Sequence, residues 1–258
     1  MTLLGGLASL VFAPLTALSV DAAGPQATFV LLAVILVAVT LPSHLRMPSG
    51  PGATRVREPA AGGTSSSGEA SRSSRAVLTV TLAFGVASFV ATAMLFLLLA
   101  HLARDGISPT QGSLLLGLTG ACQLLGRLLH PALARARSPV VIVAIGLASQ
   151  GLGAFALLFG GWGLPIFLLA FGGGSGLLTV ARPAVVEHLF GLRGFGRTSA
   201  VIVTAAVFAR AAAPAAVAAT APLMDSSAVL GALALLSSLT APGLLLGLRL
   251  AGAHGSAS

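Results

Sequence analysis

Residues 76–100, AVLTVTLAFGVASFVATAMLFLLLA, are 25 consecutive positions without a charged side chain. An α-helix rises about 1.5 Å per residue, so roughly 20 apolar residues cross the ~30 Å hydrocarbon layer of a bilayer. This stretch is long enough to cross, and its neighbours repeat the pattern. Eight such segments are expected, over Thr2–Val20, Gln26–Leu41, Ala76–Ala100, Pro109–Leu129, Ser138–Phe159, Trp162–Val180, Thr198–Leu223 and Ser227–Leu248. The second is the shortest. The expected fold class is therefore all-α, a polytopic membrane helix bundle of about eight transmembrane helices.

Upstream of residue 76 the sequence changes character. His44–Arg75 is rich in Pro, Gly, Ser and Arg and has no apolar period, which reads as a flexible aqueous linker. It divides the chain into residues 1–43, carrying two spans, the linker 44–75, and residues 76–258, carrying six.

Composition excludes a water-soluble fold. Hydrophobic residues make up 56% of the 258 and charged residues only 8%, where soluble domains run near a quarter charged. Too few polar groups are present to cover a soluble surface. The net charge of +8 comes from 14 basic residues, all arginine. They stand between apolar blocks rather than along one face, which fits charge that sets membrane topology and argues against nucleic acid. The lone Cys122 forms no internal disulfide.

With eight alternating spans, twelve arginines fall on one side. They are Arg46, Arg55, Arg57, Arg72 and Arg75 in the linker, then Arg127, Arg135, Arg137, Arg182, Arg193, Arg197 and Arg249. Only Arg104 falls opposite, and Arg210 lies within a span. The positive-inside rule places the twelve, and both termini, in the cytoplasm. Asp21, Asp105 and Asp225 then mark outer turns. The first segment lacks a basic start, so it reads as a true span rather than a signal peptide. Abundant Ala, Gly and Arg without lysine suggest a GC-rich bacterial genome, hence the cytoplasmic membrane.

Local sequences support a family resemblance. Gly5-Gly6-Leu7-Ala8-Ser9 precedes Pro14-Leu15-Thr16; Gly126-Arg127-Leu128-Leu129 leads to Arg135 and Arg137; Arg182-Pro183 runs through Phe190-Gly191 to Gly194-Phe195-Gly196-Arg197. In this order around a long polar loop, they resemble the major facilitator superfamily of secondary transporters. The first looks like that family's fifth helix, the second its eight–nine loop, the third its ten–eleven loop. The acidic residue frequent in the eight–nine motif is absent between Arg127 and Arg135. The resemblance implies helices five to twelve, with helices one to four missing. It further implies a substrate site near the midplane between two halves that rock against each other. Met1 stands directly against an apolar span, the pattern of a start placed too late or of a gene fragment. A partner chain supplying the missing helices would complete the fold.

Depth separates anchors from candidate site residues. Arg182 lies about 30 Å along its helix from Trp162, and Arg127 about 27 Å from Pro109, so both are expected as anchors near the inner face. Arg210 is the twelfth residue after Thr198 and sits near the bilayer centre, where a guanidinium costs at least about 2.5–3.5 kcal/mol unless it faces a cavity or partner. No acidic residue matches its depth. It is expected either to pin backbone carbonyls in the bundle core or to attract an anionic substrate, as cavity arginines do in organic-anion members of the superfamily. Gln123, about 21 Å along its span, and Gln150, about 18 Å along its own, are candidate substrate donors or interhelical ties. Gly172-Gly173-Gly174-Ser175-Gly176 lacks a following lysine and reads as close helix packing or a gating bend, not a phosphate loop. The five histidines lack metal spacing, no cofactor is expected, and paired catalytic groups at one depth are not found, which argues against an enzyme.

The expected function is secondary active transport of a small solute, an organic anion being one candidate, by alternating access. No Walker-type loop couples it to nucleotide. The competing expectation is a non-transporting membrane fragment or packing partner.

Overall fold

The computed structural model describes residues 2–45, 67–104, 106, 108–220 and 223–252, and all regular structure among them is helical. The helices are α1 (Thr2–Leu45), α2 (Ser67–Arg104), α3 (Pro109–Ala136), α4 (Pro139–Ala156), the short α5 (Gly163–Ile166), α6 (Gly172–Thr220) and α7 (Ser226–Leu250). A 3₁₀ turn, Leu157–Trp162, joins α4 to α5, and a π-turn, Phe167–Phe171, joins α5 to α6. Six helical stretches among the described residues are long and apolar enough to cross a membrane: Pro14–Pro42, Ser74–Ala100, Thr110–Ala136, Pro139–Leu192, Phe195–Thr220 and Ser226–Leu250. The described chain is an all-helical bundle, and its six long apolar stretches fit a multi-pass membrane protein.

Six stretches rather than eight arise because helix runs through junctions that were expected to be loops. The first two expected spans are joined within α1, whose backbone leaves helical geometry only at Gly24 (φ 77°, ψ 169°). The fifth and sixth fall in Pro139–Leu192, whose 54 residues would measure about 80 Å if straight. That stretch folds back instead. A Cβ on Gly146 would meet Leu178 Cγ at 3.0 Å, one on Gly174 would meet Gln150 N at 2.8 Å, and one on Gly153 would meet Phe171 Cβ at 2.7 Å. Partner numbers fall as α4 residue numbers rise, so α4 and the start of α6 are antiparallel. The reversal is at Gly160, whose φ of 65° is open to glycine and costly for other residues. α6 is likewise broken at Gly191 (φ 67°).

The expected linker needs a correction at its C-terminal end, since α2 already begins at Ser67. Extending a helix backwards from a nucleated span costs little, and Glu69, Ala70 and Arg72 accept it. At its other end His44 and Leu45 belong to α1, and the stretch between, 46–66, lies outside the described residues. So does Asp105.

Two apolar cores lie one above the other. The first gathers Val80, Phe84, Ile142, Leu147, Val185, Ile202, Leu244 and Leu248 from α2, α4, α6 and α7. The second gathers Met94, Leu98, Phe167, Phe171, Ala213, Leu230 and Leu233. Packing is closest where glycines remove Cβ. The Gly172–Gly176 run wedges between α3 and α4, as the close-packing reading anticipates. On its α3 side a Cβ on Gly172 would lie 2.8 Å from Cys122 Cβ, and one on Gly176 would lie 2.7 Å from Gln123 Cα. Numbers rise together here, so α3 runs parallel to the start of α6. α1 packs chiefly on α3 and leaves Phe29, Val34, Leu36 and Val39 exposed.

Candidate functional site

Between the two apolar cores the lining of the bundle turns polar. The first core ends on α2 at Ala87 and the second begins at Val90. In that layer a cavity of about 340 Å³ opens. α2 contributes Ser88 and Thr92, α3 contributes Thr119 and Gln123, and α4 contributes Gln150. α6 contributes Ser175, Thr179 and Arg182 from before its break at Gly191, and Arg210 from after it. Phe84 of the first core and Phe171 of the second also line the cavity, and Phe171 stacks on Phe167 with centroids 4.7 Å apart.

The three residues expected as substrate contacts, Arg210, Gln123 and Gln150, are brought together here although they come from three helices. Arg210 stands between Ile202 in the first core and Ala213 in the second, and it is exposed. Gln123 is half-buried. Gln150 is 1% exposed and ties three helices together: its Nε2 donates to Ala87 O and to Ser175 Oγ, each at 3.3 Å. A carbonyl can only accept, so the Ala87 contact fixes which end of the amide is nitrogen. Oε1 is then buried with no partner among the described residues.

Arg182 differs from expectation. Counting helix rise makes it an anchor near the end of its span, and its backbone does sit beside Ala181 and Val185 of the first core. Its side chain nevertheless lines the cavity, half-buried. Helical side chains lean toward the N-terminus of their helix. The part of α6 before Gly191 runs from the second core to the first, so Arg182 leans back into the polar layer. The part after Gly191 runs the other way, so Arg210 leans toward Arg182. The two guanidinium groups lie within electrostatic range of each other. On a continuous straight helix 28 residues would separate them by about 42 Å, so α6 must double back at its break. Among the described residues the cavity lining holds two arginines and no carboxylate.

The other expected residues are placed elsewhere. Gly126, Arg127, Arg135 and Arg137 were expected in a loop motif. Gly126 and Arg127 are on α3, within the span expected to Leu129, but the helix continues to Ala136, so Arg135 is helical too and Arg137 is the C-cap, donating its N–H to Leu133 O. Leu, Ala and Arg are strong helix formers, and they carry the helix past the expected boundary at Leu129. Gly126 is a packing residue: a Cβ there would come within 2.6 Å of Leu177 N. Arg135 and Arg137 are exposed at the end of α3.

Sequence reasoning missed Ser88, Thr92, Thr119, Ser175 and Thr179. The signal was spacing. Ser88 and Thr92, Thr119 and Gln123, and Ser175 and Thr179 are each four apart, and Arg182 follows Thr179 by three. Residues so spaced share a helix face. Three polar stripes inside apolar spans thus point at one cavity.

No protein-family model, curated protein or solved structure matches this chain.

Proposed function

We propose that this chain is a secondary transporter of the major facilitator type that moves a small anion by alternating access, its cavity being the share of the substrate site contributed by the later helices. The observation that carries the proposal is the pairing of Arg182 and Arg210 in a polar cavity whose lining, among the described residues, has no carboxylate, between two apolar cores. Two guanidinium groups in one cavity, Arg182 half-buried and Arg210 exposed, repel each other without a counter-charge, and the described lining leaves that role to a ligand. Eight crossings are consistent with the breaks at Gly24, Gly160 and Gly191, which divide α1, Pro139–Leu192 and α6. With eight, twelve arginines stay on one side, which favours cytoplasmic termini in a cell membrane. The two-plus-six arrangement around residues 44–75 supports the family reading.

The test is uptake of labelled small anions by membrane vesicles containing the native protein. Arg210→Ala is expected to abolish uptake at unchanged protein level, and undiminished uptake would refute the site. A second reading has its own support. The uncovered apolar side chains of α1 suit further helices from a partner chain, in which case the chain is a packing partner. Co-purification of such a chain, with no uptake by either alone, would favour it.

A further inference from the structure

The hydrogen-bonding sense of the cavity wall narrows the ligand. Thr92 Oγ1 donates to Ser88 O at 3.2 Å, Thr119 Oγ1 to Leu115 O at 3.1 Å, and Thr179 Oγ1 to Gly176 O at 2.6 Å. A backbone carbonyl has no proton to give, so each contact fixes the hydroxyl hydrogen along its own helix. What these threonines offer the cavity is lone pairs. Gln150 spends both amide hydrogens on Ala87 and Ser175, so it adds no donor to the wall, and its Oε1 is buried out of reach of the cavity.

The wall is therefore two-sided. Arg182 and Arg210 offer positive charge and hydrogen-bond donors. Thr92, Thr119 and Thr179 offer acceptors, the first two on helices other than α6, which bears the arginines. A simple alkyl carboxylate satisfies the first side and none of the second.

We infer that the ligand is a hydroxylated anion, a small carboxylate whose hydroxyl groups donate to the threonine wall while its charge meets the two arginines. This inference rests on the proposed anion-binding reading. It goes further by assigning Thr92 and Thr119 as specificity-determining residues. The balance of donors and acceptors selects against the unhydroxylated anion of equal charge.

The test is calorimetric titration of the full chain in phospholipid nanodiscs with succinate, malate and tartrate, which share a dianionic charge and carry none, one and two hydroxyls. Affinity is expected to rise in that order by about fivefold per hydroxyl, the ratio that one net hydrogen bond produces. Thr92→Val and Thr119→Val should keep succinate binding and lose most of the malate and tartrate advantage. Equal binding of the three by the wild-type chain, lost in Arg210→Ala, would overturn the hydroxyl inference and leave the anion reading standing. Binding of none of them, or binding indifferent to Arg210→Ala, would overturn the anion reading itself. A valine variant that no longer binds succinate is a folding defect, and the wild-type series then decides alone.

Discussion

Replacing Gly176 by alanine is the most direct probe of the helix contact that builds the cavity. A Cβ at this position would lie 2.7 Å from Gln123 Cα and closer still to the Gln123 carbonyl. These are backbone atoms, so no side chain can rotate away, and α3 and α6 must separate. Cβ atoms essentially never approach heavy atoms under 3.0 Å, and the neighbouring contacts at Gly172 and Gly126 resist the same displacement. Overpacking of this kind costs about 1–3 kcal/mol. At roughly 2–4 °C per kcal/mol for a chain of this size, the midpoint should fall by about 2–12 °C. The assay is thermal unfolding of the detergent-purified chain, followed by the monomer peak in size-exclusion chromatography. Gly231→Ala in α7 is the control, since a Cβ there meets nothing within 4 Å. Alanine in an open helical position gains about 0.5–1 kcal/mol over glycine, so the control should be neutral or stabilised. Opposite signs for two glycine-to-alanine changes are the signature. If Gly176→Ala is as stable as Gly231→Ala, α3 and α6 are not in backbone contact, and the cavity described between them does not exist in this form.

Gly160→Ala probes the reversal between α4 and α5. Its φ of 65° and ψ of −144° lie close to a region essentially confined to glycine, so alanine costs about 1–3 kcal/mol in backbone strain although nothing lies within 4 Å of the added Cβ; a loss of a few degrees or more is expected, and a gain would refute the turn. Topology is read by labelling in a background where Cys122 is replaced by alanine. Ser108→Cys and Arg137→Cys, exposed at opposite ends of α3, should react with an impermeant maleimide from opposite faces of sealed vesicles. Labelling of both from one face would show that α3 does not cross.

Much of this arrangement is written in the sequence at the level of length and charge. The uncharged run 76–100 fixes a crossing helix because nothing else of that composition satisfies its backbone in lipid. Arg210, Gln123 and Gln150 stand out because a polar group inside an apolar span is costly and needs a reason. Breaks in helices were less legible. Gly24, Gly160 and Gly191 are marked only by φ, and glycine occurs 32 times, so most glycines are not turns. The end of α3 lies beyond the expected boundary at Leu129 because the arginines that follow it suggest a loop. Arginine is a strong helix former, so its charge says where a helix meets water and not where it stops. Arg182 was misplaced for a different reason. Helix rise locates a Cα, but the long stem and its lean toward the N-terminus move the charge by more than a turn.

The two arginines also predict how stability and binding trade against each other. A guanidinium at the bilayer centre costs at least about 2.5–3.5 kcal/mol, and a second one within electrostatic range adds repulsion. Among the described residues no carboxylate in the lining offsets this. If the pair served packing alone, an apolar side chain of similar shape would serve better, as replacement of buried charges by packed apolar groups often does. Arg182→Met keeps most of the stem and removes the charge. The empty variant should therefore be more stable than wild type, by about 1 kcal/mol once the half-exposure of Arg182 is discounted. Ligand reverses the order. An anion at 100 times its Kd stabilises the wild-type chain by about 2.7 kcal/mol, a shift of roughly 5–11 °C, and should stabilise Arg182→Met far less. Thermal unfolding with and without tartrate measures both effects in one experiment. A variant that is less stable when empty and equally stabilised by ligand would show Arg182 to be a structural anchor after all. The counter-charge argument would then have to rest on Arg210 alone.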